Sequence, residues 1–490
     1  MGDRPGVGAG SERLIMRGAQ ASAAGFMVRL AARLLFLLAA GRLFGPAAFG
    51  AFAVAVATVE LIVAAGSLGT KKTAFQLLEE DPAEPSRPAA HRLIDLALLV
   101  AGTTLILSLL VVAAALAFPS ALLAPATAAA LILLAPMAAG QALLDLFLAA
   151  TRWKQAIRYE VVARSVVEPW ALLAGGGLAW WLGWKAEGLA IGYGFGTLAA
   201  LAYAIIGARR QFGGFRLAGY RPAAGAFARI LRCSASNAST DLVNTLYMRA
   251  DLYLVGILLG EAAAGLYGMA RQIVAPLRQV RQSFDGLLIP MVARSLATRG
   301  SGASSEALAS ATRLILVLQL PYLLAVVVVG EPLLEWLGPG FAAAYAAMAI
   351  LAAAETLQSA FSIGDLVFVY LRPGLGLRLT LVSIGVGIAA ALLLIPPFGL
   401  AGAALSVLAA HSVRAASRSR LLRSRFEFTA GPAHPLAPVA AAALAAAIGL
   451  AIGSPPLLAL AVSLAVYGAA ILLWAKAGRH SLGLAGFQAD

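Results

Sequence analysis

Residues 92–117 read RLIDLALLVAGTTLILSLLVVAAALA, a run in which only Arg92 and Asp95, both near its beginning, carry charge. A membrane-spanning helix needs about 20 mostly apolar residues, so this segment is long enough to cross a bilayer. Similar segments recur along the chain, separated by Gly, Pro and charged residues, and divide it into about fourteen predicted spans. The pattern indicates an all-α polytopic membrane protein.

The composition agrees with a membrane protein over the whole length. Of the 490 residues, 61% are hydrophobic and only 12% are charged, whereas soluble domains contain roughly 45 to 50% apolar residues. The loops between the predicted spans are too short to form a separate soluble domain. The net charge of +14 is better explained by basic cytoplasmic loops than by nucleic acid, so we predict no nucleic-acid partner.

The distribution of Lys and Arg indicates the orientation of the chain. With the N-terminus in the cytoplasm, most of the 37 Lys and Arg residues fall on the inner side, and only Arg42 and Lys185 fall on the outer side. This asymmetry is typical of membrane proteins, and it predicts both termini in the cytoplasm. The single cysteine, Cys233, excludes an intrachain disulfide, and the histidines lack ligand-like spacing, so no metal or cofactor is predicted.

Two pairs of matched motifs indicate an internal repeat. LFGPAAFGAF at 43–52 and LLGEAAAGLY at 258–267 share five of ten positions, and GLA recurs at 188–190 and 399–401 at nearly the same offset. Because each lobe would contain an even number of spans, six, the pattern predicts a parallel repeat of two lobes followed by two C-terminal helices. The predicted parts are an N-terminal lobe over 1–210, a C-terminal lobe over 211–425, and two extra spans with a short tail over 426–490.

Several arginines lie inside predicted spans, where exposure to lipid would cost roughly 2.5 to 3.5 kcal/mol each. They are Arg29, Arg33, Arg249, Arg271, Arg278 and Arg281. Helical geometry places Arg29 and Arg33 on one face of the first span, and Arg271, Arg278 and Arg281 within one arc of the eighth. For two of these arginines a structural explanation is as good as a functional one. Arg29 could extend its side chain to the inner membrane surface, and Arg249 could form an ion pair with Asp251.

Guanidinium groups bind phosphate oxygens in a bidentate manner, so a pyrophosphate head group is the natural ligand of such arginines in a hydrated cavity. Other spans carry acidic and amide side chains on one face. These are Glu60, Asn237, Asp241, Asn244, Asp251, Glu355 and Asp365. Carboxylates do not bind a pyrophosphate, so these groups are candidates for a coupling proton or sodium ion, or for sugar hydroxyls.

Four short motifs occur in order along nearly the whole chain: RLFGPAAFG at 42–50, GLYGMAR at 265–271, GPGF at 338–341 and FGLAGAA at 398–404. In these motifs the chain resembles the polysaccharide transport family, the O-antigen-type flippases of the MOP exporter superfamily. The resemblance implies a V-shaped pair of six-helix lobes in the bacterial inner membrane. These would move a polyprenyl-pyrophosphate-linked oligosaccharide by alternating access, with membrane lipid and polysaccharide polymerase machinery as partners.

In the related lipid II flippases, arginines on the first and eighth helices are implicated in head-group binding. Arg29, Arg33 and Arg271 match those positions by helix. A cation site on the seventh helix of relatives makes Asp241 a candidate, although the eleventh span here has no acidic residue to complete such a site.

Two other functions remain as alternatives. A multidrug antiporter of the same superfamily exports cations and would favour acidic groups over an arginine-rich eighth span. A membrane enzyme acting on lipid-linked sugars is expected to carry a large external loop with catalytic residues, and the predicted outer loops are all short. We therefore predict a transporter rather than an enzyme.

Overall fold

A computed structural model of the chain describes residues 28–79, 87–117, 124–184, 187–214, 220–221, 225–283, 300–365, 368, 373–426, 436–453 and 455–477. Across these residues the regular structure is helical, without a β-strand. The predicted all-α class is therefore confirmed.

The described residues form fourteen helical segments, which follow the predicted spans in order. In chain order, α1 to α14 are 28–44, Gly45–Gly66, Ala89–Ala117, 125–153, 158–181, Gly188–Gln211, Ala226–Leu259, 261–283, Gly300–Leu337, 341–364, 373–398, 400–426, Leu436–Ile452 and Pro456–Ala477. A short connecting helix, Thr70–Leu78, lies between α2 and α3.

Eight helices of the described chain are long and apolar enough to cross a membrane, and nine if the bent α4 counts as one span. Two of the eight, Val28–Leu78 and Gly374–Ser424, are 51 residues long. The first is divided between α1 and α2 at Gly45, where φ is +77°. The second is divided between α11 and α12 at Gly399, where φ is +55°. Glycine reaches positive φ without a Cβ clash, so each of these residues interrupts the helix where the sequence predicts a boundary.

The opening segment forms α3 and shows how these helices meet lipid. Large side chains on one side are 46 to 61% exposed: Leu105, Ile106, Leu109 and Leu110. The opposite side is buried and includes Ser108, whose hydroxyl donates to the carbonyl of Ala135 at 2.7 Å. Ala135 lies at the break where α4 bends by 44°, next to Pro136. The same carbonyl accepts a hydrogen bond from the backbone N–H of Ala138 at 3.1 Å, so Ser108 adds a second donor at the bend and ties α3 to α4 there.

The chain divides into two compact units, Met1–Leu246 and Tyr247–Asp490, with the division inside α7. The predicted lobe boundary at 210/211 precedes that helix, and the three-part division of the chain stays a prediction. In the first unit, α5 and α6 approach closely at Gly176 and Gly192, where an added Cβ on Gly192 would lie 2.8 Å from the backbone nitrogen of Gly176. Small residues of this kind allow membrane helices to pack backbone to backbone.

In the second unit, the two C-terminal helices pack against α9. Their shared core contains Leu316, Leu320, Leu324, Ala442, Ala445, Tyr467 and Ile471. The hydroxyl of Tyr467 donates to the carbonyl of Val317 at 3.2 Å, which ties α14 to α9.

Gly402 at the beginning of α12 provides a test of the α11–α12 hairpin. An added Cβ there would overlap the carbonyl group of Leu394 in α11, whereas a Cβ at Gly385 would meet open space. We expect Gly402→Ala to destabilise the protein by about 1 to 3 kcal/mol through this overlap. The matched control Gly385→Ala should leave stability unchanged or slightly raised. Thermal unfolding in detergent measures both, and equal midpoints for the two variants would contradict the close approach.

Candidate functional site

In the second unit, two arginines of α8 are neutralised by carboxylates from neighbouring helices. Arg271 forms an ion pair with Asp251 of α7, which also accepts a hydrogen bond from the hydroxyl of Tyr267 at 2.7 Å. The Nε atom of Arg278 lies 3.6 Å from Oε2 of Glu355 in α10. The structure thus brings two predicted head-group arginines together with two residues that the sequence suggested for cation coupling or sugar binding.

A cavity in the second unit borders this cluster. Its polar lining includes Tyr247, Asp251, Arg271, Glu355 and His411, and its apolar lining includes Ile384, Ile388 and Val407 of α11 and α12. Oδ1 of Asp251 and Oε2 of Glu355 are buried and have no hydrogen-bond partner among the described residues. The lining of the cavity therefore combines ion-paired side chains, carboxylate oxygens without a hydrogen-bond partner and an apolar wall.

A second ionic group in this unit was missed by the sequence analysis. Asp365 accepts two hydrogen bonds from Arg418, both at 2.7 Å, and one from Arg414 at 3.2 Å. The guanidinium of Arg414 lies 5.5 Å from the ring centroid of Tyr247, whose hydroxyl is 2.6 Å from Nδ1 of His411. Arg414 and Arg418 are not among the arginines that the sequence placed inside spans. They are four positions apart, as Arg29 and Arg33 are, and this spacing indicates that both side chains lie on one face of a helix.

The first unit also contains a network of charges inside helices. Arg164 of α5 forms ion pairs with Asp145 of α4 and, at 2.8 Å, with Glu168. Lys71 is 3.2 Å from Asp145, and the predicted Arg29 interacts electrostatically with Arg164 and Glu168. Asp145, Arg164 and Glu168 were not among the predicted site residues, although Arg164 and Glu168 are four positions apart in one span, a spacing that favours an ion pair on a helix face.

The other predicted residues of the first unit lie in α1, α2 and the first half of α7. Arg33 and Glu60 are half-buried, and the charge of Glu60 acts on Tyr193. Asp241, the candidate for a cation site, forms an ion pair with Lys72 of the connecting helix.

Asn237 packs against the connection at Gly69, whereas Asn244 is exposed. For Arg281, the structure describes the backbone in α8 but not the side chain. Within the described chain, no group of three or more His, Cys, Asp or Glu residues is arranged to hold a metal ion.

A separate pocket lies in the first unit, beside the connecting helix and the beginnings of α3 and α7. Asp95 in its wall accepts hydrogen bonds from Arg87 and from the hydroxyl of Tyr220, both at 2.6 Å. Burial and the Asp95 carboxylate raise the pKa of Tyr220 to about 12, so the phenol remains a hydrogen-bond donor at neutral pH.

The pairing of Asp365 with Arg418 predicts a large stability effect. Asp365→Asn leaves Arg418, whose side chain is 1% exposed, without a carboxylate, and breaking a buried pair from one side costs about 3 to 5 kcal/mol. We expect a lower thermal midpoint in detergent, partly recovered in the double variant D365N/R418Q. An unchanged midpoint in the single variant would show that the pair is not structural.

Comparison with known proteins gives one family match and several structural matches. The family model described as "Polysaccharide biosynthesis protein" matches residues 16–296. A search of curated protein sequences finds no match. Among solved structures, the lipid II flippase MurJ in an inward closed conformation aligns with TM-score 0.73 and 11% identity, covering 94% of this chain and 100% of that one.

Two multidrug transporters are also similar in structure. An inward-facing multidrug resistance MATE family transporter of the MOP superfamily aligns with TM-score 0.66 and 14% identity, covering 83% of this chain and 99% of that one. The MATE multidrug transporter DinF-BH, in complex with R6G, aligns with TM-score 0.53 and 16% identity, covering 85% and 96%. Because these sequence identities are low, the similarity to the solved structures shows the fold alone.

Proposed function

Because the chain belongs to the polysaccharide biosynthesis protein family, within the MOP superfamily, we propose that it is a flippase for a polyprenyl-pyrophosphate-linked oligosaccharide. Family and fold together identify a membrane transporter. The lipid-linked oligosaccharide is the finer step, and the group of arginines around the cavity of the second unit is the observation that supports it. On this proposal the protein moves its substrate by alternating access and catalyses no covalent reaction.

The charges near the cavity favour an anionic ligand. The group around the cavity contains five arginines, Arg249, Arg271, Arg278, Arg414 and Arg418, and three carboxylates, Asp251, Glu355 and Asp365. Arg271 lines the cavity together with Asp251 and Glu355, and the other arginines lie behind this lining. An excess of positive charge around a partly dehydrated cavity attracts phosphate and repels organic cations. This argues against the multidrug antiporter and for a pyrophosphate head group.

The apolar wall of the same cavity suits the other half of such a ligand. The lining of the cavity includes the apolar side chains of Ile384, Ile388 and Val407 as well as Arg271. These side chains offer a surface for a hydrocarbon chain in the same cavity as the arginine. Binding sites of this kind combine an apolar wall with a few placed polar groups, which orient the ligand. A pyrophosphate attached to a polyprenyl chain has this combination of charge and hydrocarbon.

The remaining expectations belong to the same proposal. The protein would lie in the bacterial inner membrane with both termini in the cytoplasm, and would deliver its substrate to polysaccharide polymerase machinery. The predicted coupling to a proton or sodium ion is retained here as a proposal. Its candidates are the polar residues that the sequence named for coupling, among them Glu60, Asn237 and Asn244.

The head-group assignment is tested by arginine substitutions in proteoliposomes that contain a polyprenyl-pyrophosphate oligosaccharide. Arg271→Gln and Arg278→Gln should each slow translocation about tenfold or more, because a charge-assisted hydrogen bond contributes about 1.5 to 3 kcal/mol. Arg278→Lys should retain part of the rate. The matched control Arg87→Gln, whose ion pair with Asp95 lies in the first unit, should transport normally.

Two results would count against the flippase. Normal translocation by both Gln variants would remove the arginines from the binding site. Uptake of a cationic dye by the wild-type protein, without translocation of the oligosaccharide, would favour the multidrug antiporter.

Cys233 gives a test of orientation, since it is the single cysteine, is exposed and lies near the predicted inner end of α7. In spheroplasts, a membrane-permeant maleimide should label Cys233, and an impermeant one should label it only after the membrane is opened. A Trp184→Cys variant in a C233S background, placed at the predicted outer side, should react with both reagents. The reverse pattern would invert the proposed topology.

A further inference from the structure

The carboxylates of the second unit hold their arginines in two different ways. Asp365 binds Arg418 through both of its oxygens, at 2.7 Å each, and Arg418 is fully buried away from the cavity. Glu355 lies 3.6 Å from a single nitrogen of Arg278, and Asp251 meets Arg271 through Oδ2 alone. The first contact is bidentate, whereas the other two are single contacts made by carboxylates that line the cavity.

The free oxygens of these two carboxylates point to the same difference. Oδ1 of Asp251 is buried without a hydrogen-bond partner in the described part of the chain. Oε2 of Glu355 is the oxygen that faces Nε of Arg278, but at 3.6 Å it makes no hydrogen bond to it. Both carboxylate side chains, together with Arg271, line the cavity. A carboxylate that leaves hydrogen-bonding capacity unused stabilises its arginine less than a bidentate partner does, and is displaced more easily.

A phosphate group and a carboxylate compete for the same donors. Both offer two oxygens to the fork of a guanidinium, and phosphate is the better match because it carries more charge. A head group that entered the cavity would have to replace Asp251 at Arg271 and Glu355 at Arg278. The net binding energy is then the energy of the new contacts less that of the ion pairs that were broken.

We propose that Asp251 and Glu355 are internal competitors of the substrate, which occupy Arg271 and Arg278 in the empty protein and return to them when the head group leaves. This inference rests on the proposed function. It assigns the two carboxylates to release and selectivity rather than to cation binding.

Such competition solves a problem that any carrier of a pyrophosphate faces. Arginines without partners in a partly dehydrated cavity would bind the head group so tightly that release would limit turnover. They would also retain small anions such as inorganic phosphate. With carboxylates in place, a ligand must supply enough contacts to displace both, and this requirement favours the complete head group over a small ion.

The test compares carboxylate and arginine variants of the full-length protein, with inorganic pyrophosphate as the binding probe and the lipid-linked oligosaccharide as the transport substrate. Asp251→Asn and Glu355→Gln keep the side-chain shape and remove the competing charge. Each should bind pyrophosphate about tenfold more tightly, a change of about 1.4 kcal/mol. In proteoliposomes each should show a lower KM together with a lower kcat, because release is slowed.

The controls separate this inference from the proposed function. Asp95→Asn also removes a carboxylate paired with an arginine and a tyrosine, but in the first unit, and should leave both measurements unchanged. Arg278→Gln should weaken pyrophosphate binding.

Three outcomes are decisive. Tighter binding with slower transport in either carboxylate variant supports the competition. If both carboxylate variants bind pyrophosphate no more tightly than the wild-type protein, while R278Q binds it more weakly, the competition is overturned and the head-group site stands. Pyrophosphate binding that is indifferent to R271Q and R278Q overturns the head-group site and the competition together.

Discussion

Hydrocarbon does not solvate a charged side chain, and the internal organisation of this protein follows from that constraint. Arginines placed within apolar helices are brought to carboxylates on neighbouring helices, as Arg164 is to Asp145 and Arg418 to Asp365. Polar backbone atoms are treated in the same way, as the hydroxyl of Ser108 shows at the bend of α4. Each such contact joins two helices, so the requirement to neutralise charge also specifies which helices pack together.

The same constraint distinguishes structural charges from those available for function. The pair at Asp365 is bidentate, and Arg418 is buried outside the lining of the cavity. Glu355 lines the cavity and makes a single contact with Arg278, which under our proposal can change partners. Function in a flippase depends on this second kind, because the head group must be bound and later released.

The polar face of α7 meets different partners along its length. The sequence places Asp241 and Asp251 on one face, which suggested a shared role in the cavity. Asp241 is paired with Lys72 in the first compact unit, and Asp251 is paired with Arg271 in the second. Helical periodicity reports which side chains share a face, but it does not report what that face meets along the length of the helix.

The sequence by itself determined the helical class, the order of the spans and the hairpin boundaries at Gly45 and Gly399. These depend on local properties, namely the length of apolar segments and the freedom of glycine at positive φ. It also identified Arg271 and Arg278, because a charge inside an apolar segment is conspicuous without any knowledge of its neighbours.

Only the tertiary structure decided the partners of those charges. The pairs Arg271 with Asp251, Arg278 with Glu355 and Arg418 with Asp365 join residues that are 20, 77 and 53 positions apart. An ion pair depends on the distance between side chains in space, and helix packing sets that distance over long separations in sequence. For the same reason the group around Asp145 and Arg164 was found only in the folded chain, where three helices bring isolated charges into contact.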